Sequence, residues 1–159
     1  MATPPEELRR TVSHEAGHAA ISVHLGLRFH PIKIHDAGMY DGSVEPDLSG
    51  EDSENKSRVD EIARKQVIVA YAGAEAQRML HPDQPESEIA ASAEDDHCKI
   101  RNIAEECKLS SADLEHAKQE AALLVEQFRD AIQAIAEVLW RNRRLTYAEA
   151  KEIYEARLK

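Results

Sequence analysis

Aromatic residues are scarce in this sequence: two Phe, four Tyr and one Trp make up 4% of 159 residues. Sheet-rich proteins draw on aromatic and β-branched side chains, whereas the Ala, Glu, Leu and Ile abundant here favour helices. Cysteine is nearly absent. Cys98 and Cys107 stand too far apart for a helical metal pair and make no disulfide framework, so they read as reduced, unremarkable thiols. Cations are also in deficit, with 20 Lys and Arg against 30 Asp and Glu and a formal net charge of -10. That balance argues against nucleic acid as a partner, because phosphate binding needs clustered cations. No apolar run approaches the ~18 residues that would span a bilayer. The opening MATPPEELRR lacks the apolar core of a secretory signal, so a cytoplasmic location is expected. With 42% hydrophobic and 31% charged residues, the chain has the length and composition of one domain, residues 1–159.

The pattern along the chain predicts a mainly α fold with one small β-hairpin. Thr3-Pro4-Pro5-Glu6 has the form of a helix start, with Thr as N-cap, Pro in the first turn and Glu three residues on. The helix it opens covers about 4–25 and stops at Gly26. His30-Pro31 then begins an extended segment in which Ile32 and Ile34 alternate with polar residues, and Asp41-Gly42 marks a turn before Ser43-Val44-Glu45. This predicts a hairpin over about 30–46. After the acidic stretch DLSGEDSENKS, helices are expected over about 54–80, 88–107, 111–141 and 146–158. Ser110 to Asp113 and Thr146 supply caps for the last two.

The first helix carries the chemistry. His14-Glu15-Ala16-Gly17-His18 fits H-E-x-x-H, a pattern with a physical basis: residues four apart lie one above the other, so two imidazoles can reach one ion. Glu15 stands ~100° round the helix from His14, placed to meet the ion's water rather than the ion. The five-residue pattern is short enough to arise by chance in a chain with eight histidines. Its setting strengthens it. Gly17 costs about 1 kcal/mol relative to Ala in mid-helix, which makes sense if another backbone or a substrate passes close.

His24 follows His18 by the spacing of the third ligand in H-E-x-x-H-x-x-G-x-x-H proteins. Those proteins use the glycine to turn the chain, and here that position is Ile21. In a continuous helix His24 lies ~9 Å beyond His18 and points ~120° away, so it cannot complete the same site. The third ligand must come from elsewhere, and spacing leaves Glu45, Glu75, Asp95 and Asp96 open.

The chain resembles the peptidase domain of FtsH-type ATP-dependent zinc metalloproteases. The likeness runs through HEAGHA, PIKIHDAGMYDGSVEP, YAGAEAQ, EDDHCKIRNIAEE and AIAEVLWRNRRLTYAEAKEI. It implies a helical, zincin-like metallopeptidase domain with the small sheet near the metal. It also implies Zn2+ held by His14, His18 and Asp96, with Glu15 as general base. No G-x-x-x-x-G-K-[S/T] occurs, so the resemblance stops short of the family's ATPase and its membrane segment. The expected activity is hydrolysis of peptide bonds in unstructured or partner-delivered polypeptides, with a separate ATPase or further copies of the chain as partners. The competing expectation is a non-catalytic, zinc-stabilised helical module used for binding or assembly. A purely structural site has no use for Glu15, and such sites are usually closed by four protein ligands.

Overall fold

Helix-forming segments with few breakers become stable helices once an apolar face finds a partner. The computed structural model describes residues 4–35 and 56–158. Along them run α1 (Pro4–Leu25), β1 (Ile32–Lys33), α2 (Lys56–Leu80), α3 (Glu86–Ser92), α4 (Glu94–Cys107), α5 (Ser111–Gln127), α6 (Arg129–Asn142), β2 (Arg144–Leu145) and α7 (Tyr147–Arg157). The architecture is mainly α with one two-stranded antiparallel sheet, the fold class expected from composition and periodicity. None of the described helices is long and apolar enough to cross a membrane.

The other helices gather around α1. Every residue from Val12 to Val23 is buried, with α2, α6 and α7 packed about the helix. Over this stretch α1 has no wet face, so Ser13, His14, Glu15, His18 and Ser22 are all buried. Buried polar groups need partners, which makes their environment decisive. The helix stops at Gly26, whose φ is +75°. Gly26 N–H donates to Val23 O at 3.1 Å and Leu27 N–H to Ser22 O at 2.9 Å, the paired bonds of a left-handed helix stop. The Thr3 cap lies outside the described residues.

Gly17 has a structural explanation. A Cβ there would stand 2.5 Å from Ala76 Cβ and 2.7 Å from the Ala72 carbonyl oxygen. Another backbone does pass close, and it is that of α2.

Two expected helices are each divided. The segment 88–107 breaks at Ala93 (φ -97°, ψ 6°) into α3 and α4. Ala93 is buried with Ile89 and Ala74, so the chain bends where a small residue can sit against α2. The segment 111–141 breaks at Phe128 (φ -104°, ψ 27°) into α5 and α6. There α5 lies chiefly on α2 and α6 chiefly on α1, and the break lets the chain change partners. Capping boxes open α5 at Ser110–Asp113 and α7 at Thr146–Glu149.

The strand pairing joins distant segments. Among the described residues β1 pairs with β2, Ile32 opposite Leu145 and Lys33 opposite Arg144. Ile34 N–H donates to Arg143 O at 2.9 Å beside it. Residues 36–55, which hold the expected returning arm of the hairpin, lie outside the described residues.

Candidate metal centre

Two stripes of residues four apart meet where α1 runs against α2. His14 and His18 lie on α1, and Val69, Gly73 and Gln77 lie on α2. The His18 Nδ1 is 2.7 Å from the Val69 carbonyl oxygen. A carbonyl only accepts, so Nδ1 carries the proton and a neutral His18 presents the lone pair of Nε2. His14 Nδ1 is 2.9 Å from Gln77 Oε1. With its Nδ1–H donating there, His14 likewise presents Nε2. Between these contacts sits Gly73, where a Cβ would come within 2.5 Å of His18 Nε2 and 2.6 Å of His14 Nε2. The two imidazoles occupy the space that a side chain at 73 would fill.

Asp96 completes the convergence. Its Oδ2 is 2.7 Å from His14 Nε2 and 3.2 Å from His18 Nε2. The break at Ala93 matters here, because it starts α4 at Glu94 and puts Asp96 in the first turn, where a helix terminus favours negative charge. Two lone-pair nitrogens facing one carboxylate oxygen form a partly buried set of acceptors that needs a cation between them, a proton or a metal. Two imidazole nitrogens and a carboxylate oxygen are donors that suit zinc. The 3.2 Å separation is near the roughly 3.3 Å between neighbouring donors of a tetrahedral zinc ion, and the 2.7 Å separation is that of a hydrogen bond, which would lengthen on binding one. The residues fit such an ion.

The remaining candidates are placed elsewhere. Glu75 is held by Arg78, with Nη1 to Oε1 at 2.7 Å, and Asp95 is exposed. Glu45 lies outside the described residues. His24 Nδ1 is 2.8 Å from the Tyr154 hydroxyl, and its ring is 4.5 Å from that of Phe128.

Burial and charge act against each other across the cluster. Burial alone would lower the pKa of His18. The charge and hydrogen bond of Asp96, helped by the Glu15 charge and the Val69 carbonyl, outweigh it and push the imidazole up to about 9. Burial would raise Asp96, but the neighbouring imidazoles hold its carboxyl well below the usual range. Glu15 goes the other way: its complete burial raises its pKa despite the nearby histidines.

Glu15 is 1% exposed, and among the described residues its Oε2 is a buried side-chain oxygen without a hydrogen-bond partner. A carboxylate oxygen of Glu15 lies within 4.8 Å of ring nitrogens of both histidines. It stands beside the convergence, while Asp96 makes the shorter contacts with both rings. His14 and Glu15 lie in the wall of a cleft of about 400 Å³ that Arg10, Gln77, Glu88 and Ser92 also line. A buried, unpartnered carboxyl with a raised pKa beside a cleft has the properties an acid–base group needs.

Gln77, Gly73 and the Val69 carbonyl were not singled out from sequence. The four-residue spacing of 69, 73 and 77 mirrors that of 14 and 18, but every helix offers such stripes, so spacing alone did not pick this one. Backbone acceptors leave no residue-type signal at all. In comparisons with known proteins, no protein-family model and no curated protein matches the chain.

Proposed function

We propose that the chain is a zinc-dependent peptidase in which His14, His18 and Asp96 hold the metal and Glu15 is the general base. The observation that carries this reading is the convergence of the buried His14 Nε2 and His18 Nε2 on the half-buried Asp96 Oδ2, beside the unpartnered Glu15 Oε2. The likeness of HEAGHA and the later segments to FtsH-type peptidase domains supports the same assignment. Zinc, when bound, supplies a Lewis acid that polarises a carbonyl and lowers the pKa of water to about 7.

The chain's own residues do the rest. Glu15 receives a proton from the attacking water and delivers it to the leaving amine, a task suited to a carboxyl whose pKa burial has raised. His18, through the Val69 carbonyl, and His14, through Gln77, are held with Nε2 turned to the site. The cleft beside Glu15 is where an unfolded polypeptide segment would lie. A polypeptide is the substrate, brought to the cleft unstructured or by a separate ATPase.

The test is hydrolysis of an unstructured, fluorescently labelled protein by the zinc-loaded chain, beside Glu15→Gln with matched zinc content. Cleavage by the native chain and a loss of at least ~100-fold in the variant is the expected result. Equal silence in two zinc-loaded proteins would leave a zinc-stabilised binding module or a missing partner ATPase, which a pull-down would then separate.

A further inference from the structure

We propose that Gln77 is a positioning residue for His14: it selects the tautomer that turns Nε2 to the metal. The inference rests on the metal-site reading above. A neutral imidazole has one donor and one acceptor nitrogen, and the partner of one determines what the other offers. For His18 the backbone decides, because the Val69 carbonyl can only accept. For His14 the partner is a side-chain amide, which can present either an oxygen or an NH2 group. An NH2 group facing Nδ1 would move the ring proton to Nε2 and leave no lone pair for an ion. The orientation of one amide therefore decides whether His14 is a ligand.

That amide is enclosed. Gln77 is 1% exposed, and its Nε2 donates to Gln84 Oε1 at 2.8 Å. The Ser92 hydroxyl lies 3.0 Å from Gln77 Oε1 and 2.8 Å from the Ile89 carbonyl, so its single hydrogen is shared between two acceptors. With Gln77 Oε1 turned to His14, every polar atom of the amide has a suitable neighbour. Turned the other way, its oxygen would face Gln84 Oε1 unless the Gln84 amide turned with it. Ser92 and Gln84 line the cleft with His14 and Glu15, so the cleft wall and the metal ligand are joined through this amide.

The experiment compares zinc affinity, by competition with a chromophoric chelator, in the native chain, Gln77→Met and Gln77→Glu. Thermal melting of each metal-free protein is followed alongside. Methionine keeps the length of the side chain and removes the strong acceptor, whereas an ionised glutamate keeps acceptor oxygens and has no N–H to turn toward the ring. Zinc affinity is expected to fall about 10–100-fold in Gln77→Met, the usual effect of losing an outer partner of a metal-bound histidine. In Gln77→Glu it is expected to stay within about threefold of native, while both metal-free variants melt below native because each leaves Gln84 Oε1 without its donor. Native-like affinity in Gln77→Met would overturn the inference and leave the metal site standing. Equal weakening in both variants would also overturn it, because packing and not the acceptor would then matter. A native chain that takes up no zinc would overturn the metal site and the inference together.

Discussion

The middle and the C-terminal end of α1 use the same residue type in opposite ways. His14 and His18 sit in a seam of small residues, Gly17, Ala72, Gly73 and Ala76, where the α2 backbone comes close enough to bond an imidazole. His24, less than two turns further on, sits among rings, with Tyr154 on its nitrogen and Phe128 against its face. Carboxylates around His18 push its pKa up to about 9, whereas partial burial lowers that of His24. Helix spacing decides which histidines share a face. The facing helix decides what chemistry that face performs.

The sharpest way to break the contrast is to fill the seam. Gly73→Ala places a Cβ on top of both ring nitrogens. Zinc affinity measured by competition titration should fall by at least ~100-fold, beyond the loss of one outer partner. The folded state should persist, because the rings can swing aside. Gly17→Ala should do the reverse. Its Cβ meets Ala76 and the Ala72 carbonyl, so the helices must part, and chemical denaturation should show a loss of about 1–3 kcal/mol. Zinc should still bind. Alanine at an unobstructed mid-helix glycine would instead stabilise by up to about 1 kcal/mol.

Much of this was legible in sequence where the determinants are local. The bounds of α1, its stop at Gly26, and the caps at Ser110 and Thr146 follow from residue types a few positions apart. The meeting of His14 and His18 on one face is equally local. The breaks at Ala93 and Phe128 were not legible, because helix formers and apolar periodicity run straight through both. They arise from tertiary packing: Ala93 fits against Ala74, and Phe128 marks where the chain leaves α2 for α1. Without the first break Asp96 would not stand in the opening turn of a helix. The pairing of Ile32 with Leu145 joins segments far apart in sequence, and neither segment alone names its partner.

Acidity sharpens the comparison next. A histidine whose pKa is raised on folding binds its proton more tightly in the folded state. Its contribution is full below the unfolded value near 6.5 and is lost as pH rises through about 9. Thermal melting of the metal-free protein should therefore report falling stability between those values from this group. The zinc-loaded protein should escape that loss, because its rings are already deprotonated. Asp96, held low, has the opposite sign and loses its contribution in acid.

Smaller effects belong to the aromatic end and the outer caps. His24→Ala should cost about 1–2 kcal/mol in denaturation, through the Tyr154 hydrogen bond and lost ring contact, with zinc affinity unchanged. Ser110→Ala removes the acceptor for Asp113 N–H at the start of α5 and should cost about 1 kcal/mol by the same assay.

The most direct test of the account is zinc stoichiometry in the native chain, Asp96→Ala and His24→Ala, measured after dialysis against a buffered nanomolar level of free zinc. The account predicts one zinc per chain in the native protein and in His24→Ala, and none in Asp96→Ala. A native chain without zinc, or an Asp96→Ala chain that keeps it, would contradict the assignment of the site.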